Sequence, residues 1–456
     1  MPIATINPAT GAVVREFAPH GRADVDAALD RARLAAQAWR RSDAATRARL
    51  LERLAARLDA EREALAALAT LEMGKTVRSA RDEVTKCAFA ARHYASTVAR
   101  DITPTAIADG DAKATLHYDP LGVVLAVMPW NFPYWQVLRA AIPAIAAGNA
   151  MVLKHASNVP QCALAVARLF AEAGAPDGLF TTLLVTAPDV PGMIADPRVA
   201  AVTLTGSDAA GRDVASHAGR AVKKAVLELG GSDPFIVLAD ADVARAAEVG
   251  VTARMINNGQ SCICAKRFIV HAAVADAFEA AFVAQVQALR VGDPMRDDTD
   301  IGPLATRQGR DDVADQVARS VAAGARLAAG GRATDGPGWF YEPTVLLGVP
   351  TTSPAATEEV FGPVAPIFRV RNADEAIALG NATPFGLGAS VWTRDAGTAA
   401  RCVAELDAGM VFVNAMVASD PRFPFGGVKA SGYGREVGLM GMREFANVKT
   451  VRGDVG

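Results

Sequence analysis

Between residues 120 and 230 the chain repeats one pattern: short β-rich runs (GVVLAVMPW, AMVLKHA, FTTLLVT, AVTLTGS) separated by helical stretches of ordinary length. Strands alternating with helices build βαβ units around a parallel sheet, which limits the fold class to α/β. A second series, RFIVHA, GPVAPIFRV, GASVWT and GMVFVN, follows a long helix-patterned stretch near 273–289 and a Gly-rich irregular stretch near 324–345. The pattern predicts two α/β units that meet near LELGGSDP, residues 227–234. A length of 456 residues suits two or three domains. Ahead of them, residues 22–75 read as two helices. The second starts near Ser42 or Asp43, carries a Leu51, Leu54, Leu58, Leu65, Leu68 stripe and is capped by Gly74.

With 47 basic and 49 acidic residues, interspersed and nearly balanced at −2, the chain carries no electrostatic footprint for nucleic acid or an anionic membrane. Small molecules and copies of itself are the expected partners. The start MPIATINPATG has neither the basic nor the apolar region of a signal peptide, and no run approaches 18 apolar residues, so a cytoplasmic protein is expected. Five irregularly spaced cysteines do not make a disulfide framework.

Two of those cysteines stand in NNGQSCICAKR, residues 257–267. Gly259 permits a turn, the amides are polar, and an apolar run follows, which presents Cys262 at the end of a loop as a nucleophile needs. Cys87, Cys162 and Cys402 lie inside helical patterns and read as core residues. No Cys or His cluster has metal-ligand spacing, and the six histidines (20, 93, 117, 155, 217, 271) are scattered, so neither a metal nor a histidine base is expected. The candidate base is Glu228, an acid between apolar neighbours in VLELGG, where burial raises a carboxyl pKa toward neutrality.

Six motifs in order, PWNFP (129–133), TGS (205–207), LELGGSDP, NNGQSC, EEVFGPV (358–364) and PFGGVKASGYGREVG (424–438), resemble the NAD(P)-dependent aldehyde dehydrogenases over essentially the whole chain. KHASNVPQCA, PWNFPYWQVLRAA and the short N-terminus are most similar to the compact bacterial succinate-semialdehyde dehydrogenases. The resemblance implies that Cys262 attacks the aldehyde, that Glu228 is the general base, and that the Asn131 amide shares the oxyanion with the Cys262 N–H. It implies a Rossmann-like cofactor domain (1–111 and 123–230), a catalytic α/β domain (231–430) and an oligomerisation segment (112–122 and 431–456). A homodimer or dimer of dimers follows, since exposed strands pair with partners.

No G-x-G-x-x-G stands at a strand-to-helix junction, and TGS alone is a weak signal. Through the resemblance, Met128, Pro129, Trp130, Gly206, Ser207, Gly211 and Leu229 line the dinucleotide, and Glu359 and Phe361 hold its nicotinamide end. Lys154 is expected to face the adenosine ribose. Many NAD-preferring relatives carry a glutamate where this chain has Ser157; a carboxylate would repel a 2′-phosphate, so NADP is expected over NAD. FPYWQVLRAAIPAIA reads as a helix with Asn131, Trp135 and Arg139 four apart on one face, which sets a guanidinium where a substrate carboxylate could bind. Ser261 and Ser419 complete the expected substrate pocket. Other short or medium aldehydes, with Arg139 structural, stay open, as does a hydrolase that uses the same thiol without a cofactor. Cys264, two residues from the nucleophile, reads either as a packing residue or as a reversible disulfide partner that shields Cys262 from over-oxidation.

Overall fold

The computed structural model describes residues 2–109 and 112–453. The outer limits of the expected segments, at residues 1, 111 and 454–456, lie outside them. Four helices form the N-terminal shell: Arg22–Trp39 (α1), Ala44–Ala60 (α2), Arg62–Met73 (α3) and Val77–Asp101 (α4). Two helices were expected over 22–75 and there are three, because the backbone at Glu61 leaves helical geometry (φ −105°, ψ 11°) and splits the leucine stripe. The Asp43 carboxylate caps α2 by accepting from the Thr46 N–H at 2.7 Å, and Gly74 closes α3 in the left-handed conformation (φ 84°).

The first large sheet runs Gly432–Tyr433, Lys224–Glu228, Val199–Thr205, Val123–Met128, Ala150–His155, Phe180–Leu183. Its last five strands are parallel. The strand that comes first in the chain, Val123–Met128, is central, and the order reverses between it and Val199–Thr205. At such a switch point the loops after the two strands diverge and leave a crevice at their carboxyl ends. PWN follows one strand and GS follows the other. The helices that cover this sheet include Trp135–Ala146 (α5), Pro160–Glu172 (α6) and Asp208–Arg220 (α7).

The second sheet runs Arg326–Ala329, Thr344–Leu347, Val364–Val370, Ala265–His271, Asp233–Val237, Gly388–Trp392, Met410–Val413 and is parallel but for its first strand. The helix Val243–Met255 (α8) precedes the nucleophile loop, and a buried cluster of Phe235, Phe268, Phe278 and Phe282 fills the space below. A third, antiparallel sheet joins Ala446–Val451, Ala112–Pro120 and Thr105–Asp109. Two details differ from expectation. Strand Thr105–Asp109 leaves the first unit for this small sheet, and Gly432–Tyr433, expected in the oligomerisation segment, pairs antiparallel with Lys224–Glu228.

Buried acids anchor two helices of the shell to the first sheet. Glu83 on α4 accepts from the Tyr134 and Trp135 N–H groups, both at 2.8 Å, at the start of α5, while its other oxygen pairs with buried Lys75. Glu72 does the same for α6 through the N–H groups of Gln161 (3.0 Å) and Cys162 (2.8 Å). A carboxylate at a helix start satisfies orphaned donors and meets the positive end of the dipole.

His155 ends its strand with Nε2 2.9 Å from the Pro133 carbonyl and Nδ1 accepting from the Ala156 N–H at 2.9 Å. Only the neutral Nε2–H tautomer serves both. Burial pushes its pKa down to about 4 from an ordinary 6.5. The stability it contributes is therefore complete above pH 6.5 and is lost as pH falls toward 4, about 3 kcal/mol over the window. His155→Gln is expected to flatten that part of the Tm–pH curve; parallel curves for variant and wild type would disprove the assignment.

Candidate active site

The site is built on a left-handed turn. Asn257, Asn258 and Gly259 have φ of 57°, 57° and 75°. Asn and Gly are the residue types that tolerate this region, which explains NNG ahead of the cysteine. A Cβ on Gly259 would lie 2.3 Å from the Gly362 carbonyl carbon, so glycine also lets the nucleophile loop approach the EEVFGPV loop. The asparagine side chains hold the turn in place. Asn258 Nδ2 donates to the carbonyls of Gly74 (3.0 Å) and Pro303 (2.9 Å), and Asn257 Nδ2 donates to Asn131 O (2.7 Å) and Gln260 O (2.9 Å).

Cys262 emerges from this turn half-buried, where two cavities meet. The first, about 430 Å³, is walled by Trp135, Gln136, Arg139, Ser261 and Ser419 among others, and also by Lys86. The second, about 270 Å³, is walled by Pro129, Trp130, Gly206, Ser207, Leu229, Glu359 and Phe361. Asn131 lies beside the thiol loop with one amide N–H on Gln260 O at 3.1 Å, which leaves the other N–H for a substrate oxygen. The Cys262 N–H meets no protein acceptor among the described residues. A donor pair of this kind, beside a nucleophile, suits an oxyanion.

Asn131 is not on the helix as expected: α5 begins at Trp135, and Asn131 sits in the turn before it. Trp135 and Arg139 do share the wall. Arg139, however, already has partners. It forms a buried ion pair with Glu436 and donates to Thr205 Oγ1 at 3.2 Å. Glu228 is buried, its two oxygens make no hydrogen bond, and a Cβ on Gly426 would touch Oε1 at 2.6 Å. Burial and the neighbouring Glu436 hold its carboxyl well above the usual range, opposed by Arg139 and Arg435. It is not among the residues that wall either cavity.

Sequence reasoning missed the residues that fix the loops. Lys266 Nζ donates to the carbonyls of Ser261 (2.8 Å) and Cys262 (2.7 Å) and pairs with Glu359 at 3.1 Å, which joins the nucleophile to the EEVFGPV loop. Buried Arg254 on α8 donates to Val360 O (2.8 Å) and Val364 O (2.5 Å) around that same loop. The only sequence signal was a cation inside an apolar run.

The second cavity fits a dinucleotide's nicotinamide end. It opens at the switch point, below an edge-on pair of Trp130 and Phe361, with the start of α7 beside it, where Ser207 Oγ caps the Ala210 N–H at 3.3 Å. Gly211 also sets how closely α7 packs on the first sheet, since a Cβ there would lie 2.4 Å from Leu229 Cδ1. Met128 is buried at its strand end behind the cavity. Lys154 and Ser157 do not line this cavity. Lys154 is the last residue but one of the next strand, its pKa lowered by burial, and the Ser157 carbonyl receives the Ala4 N–H at 3.0 Å. Cys264 is fully buried with its Sγ 3.7 Å from the Ile256 carbonyl, so a bond to Cys262 would require that contact to break.

A thiol between two free N–H donors and a crevice that fits a dinucleotide suits covalent oxidation of an aldehyde. The aldehyde dehydrogenase family model matches residues 1–451, and the chain belongs to that family. It is 54% identical over 454 residues to succinate-semialdehyde dehydrogenase (NADP(+)) 1 of Mycobacterium tuberculosis, with 99% of each chain covered. Among solved structures it is similar to succinic semialdehyde dehydrogenase from Streptococcus pyogenes in complex with NADP+ (TM-score 0.96, 38% identity, 98% and 99% covered). It is also similar to succinate-semialdehyde dehydrogenase from Burkholderia pseudomallei (TM-score 0.95, 36% identity, 99% and 94% covered).

Burial pushes the Cys262 thiol up to about 12, with Arg139 and Lys266 opposing. The resting nucleophile is therefore a thiol. Alkylation of Cys262 by iodoacetamide in the cofactor-free protein is expected to accelerate continuously from pH 7 to pH 10; a plateau below pH 8 would mean a thiolate at rest.

Proposed function

We propose that the protein oxidises succinic semialdehyde to succinate with NADP as the hydride acceptor. The observation that carries this reading is the meeting of the two cavities at Cys262, one crevice shaped for a nicotinamide and the other a largely apolar cavity with Lys86, Arg139 and Ser419 on its wall. Close identity to relatives that bear this name supports the substrate and the cofactor.

Cys262 Sγ bonds to the aldehyde carbon as its proton leaves for Glu228 or water, and the carbonyl oxygen takes the negative charge. The Asn131 Nδ2–H and the Cys262 N–H bind that oxygen. A nicotinamide held by Trp130, Glu359 and Phe361 would supply the hydride acceptor for the same carbon, and loss of that hydride leaves Cys262 as a thioester. Glu228, its earlier proton passed to solvent, then takes a proton from water as the water oxygen bonds to the acyl carbon; the C–S bond breaks, the acid departs, and the thiolate takes up a proton to restore the resting thiol. For this the Glu228 side chain turns from Gly426 toward the thiol. Lys266 and Glu359 keep the loops in register while the charge moves.

Lys154 with Ser157, and no carboxylate at position 157, supports a 2′-phosphate on the ribose. The three-stranded sheet leaves Ile107 and Val448 exposed on its outer strands, which supports assembly of copies into a dimer or dimer of dimers; a cytoplasmic location accords with these partners.

Initial rates of reduced-cofactor formation at 340 nm test the reading. Succinic semialdehyde should exceed propanal by more than about tenfold in kcat/KM, and NADP should exceed NAD. Equal rates for the two aldehydes would leave an aldehyde dehydrogenase of another substrate, and thioester turnover without nicotinamide would favour the hydrolase. Glu228→Gln should lower kcat by at least about 100-fold. Because it removes a carboxyl that burial disfavours when charged, it should also raise Tm at pH 8, and an unchanged Tm would contradict the unpaired state described above.

A further inference from the structure

We propose that Lys86 is the specificity-determining residue that binds the distal carboxylate of the substrate, an inference that rests on the carboxylate-bearing substrate proposed above. Lys86 on α4 lines the 430 Å³ cavity and also the open depression outside it, beside Phe89, Ser419 and Asp420. It therefore stands where the cavity meets solvent. Its ammonium lies 2.5 Å from Ser419 Oγ and 4.4 Å from the centre of the Trp135 ring. It forms no ion pair among the described residues, and neither does exposed Asp82 one turn back on the same wall, whereas the buried and half-buried charges around it are answered. Arg139, on α5, is paired with Glu436; Glu83 is taken by Lys75 and the start of α5; Asp420, on the segment that carries Ser419, is held by Arg422. Asp82 and Cys87 flank Lys86 on its own helix.

The hydrogen-bond inventory at Ser419 points the same way. Its oxygen accepts from Lys86 and from Trp135 Nε1 (3.1 Å), which occupies both lone pairs and leaves the hydroxyl proton with no acceptor. The ammonium thus keeps two N–H bonds, and Ser419 its O–H, without a protein oxygen to receive them among the described residues. A carboxylate supplies two acceptor oxygens and the missing negative charge, and a short ω-oxo acid carries one at the far end from its aldehyde. The charge of Arg139 is balanced inside the protein, and it acts on the Glu228–Glu436 pair as a positioning residue. Burial and the nearby Arg139 bring the Lys86 pKa down to about 8, so its charge, and the selection it provides, should fade above that pH.

The test compares succinic semialdehyde with butanal, the same chain length without the carboxylate, in the wild type, Lys86→Met, Lys86→Arg and Arg139→Met. The readout is the ratio of the two kcat/KM values, in which the pH dependence of the shared chemistry cancels. Lys86→Met should lower that ratio about tenfold or more, through KM for the semialdehyde, and Lys86→Arg should recover most of it. The wild-type ratio should fall above pH 8 and the Lys86→Met ratio should stay flat. A ratio unchanged in Lys86→Met, or equal losses on both substrates, overturns the assignment. If the wild-type lead survives Lys86→Met and vanishes in Arg139→Met, the substrate reading stands and the clamp passes to Arg139. If the wild type shows no lead at all, the substrate reading falls, and with it the role of Lys86.

Discussion

The Asn257 amide donates at once to Asn131, in the loop after the central strand of the first sheet, and to Gln260, in its own left-handed turn before the second sheet. Through that one side chain the oxyanion donor and the nucleophile share a reference point. The turn costs about 1–3 kcal/mol for each non-glycine residue held in the left-handed region, so it persists only where its surroundings over-determine it. Here they do: Asn258 is bound from three directions, and Gln260 Oε1 receives the Ala305 N–H at 3.0 Å. The strain and the chemistry occupy the same six residues.

Charge is distributed around this anchor in separate compartments. Lys266 and Glu359 lie on the cofactor side of the thiol, and Arg139 stands on the substrate wall with Glu436 paired to it and Glu228 nearby. All but half-buried Glu359 are buried, and buried charges are tolerated when paired and hydrogen-bonded. Glu228 alone lacks partners. A base with no hydrogen bonds has none to break when it turns, and its raised affinity for a proton is what proton transfer from water needs.

The parallel α/β architecture was legible in the alternation of strand and helix patterns, and the nucleophile loop was legible in NNGQSC, because turn residues and periodicity act over a few positions. What stayed hidden acts across long stretches of chain. Glu83 caps a helix about fifty residues away, Lys86 meets Ser419 from the opposite end of the sequence, and Arg139, expected on the substrate wall, also finds an internal partner in Glu436. Gly211 shows the same limit at short range: its motif position was visible, but its closeness to Leu229 depends on how a helix lies on a sheet.

The short strand Gly432–Tyr433 closes the edge of the first sheet beside Glu228, and Glu436 follows it directly to meet Arg139. The ribosome releases these residues some two hundred positions after Glu228, a delay on the order of 10 to 40 s at ordinary synthesis rates. During that interval the nascent first sheet carries an open edge and an arginine without its carboxylate. Assembly of the reaction centre is thus the closing event of synthesis, and a chain that stalls short of residue 436 holds the nucleophile but lacks the completed frame around its base.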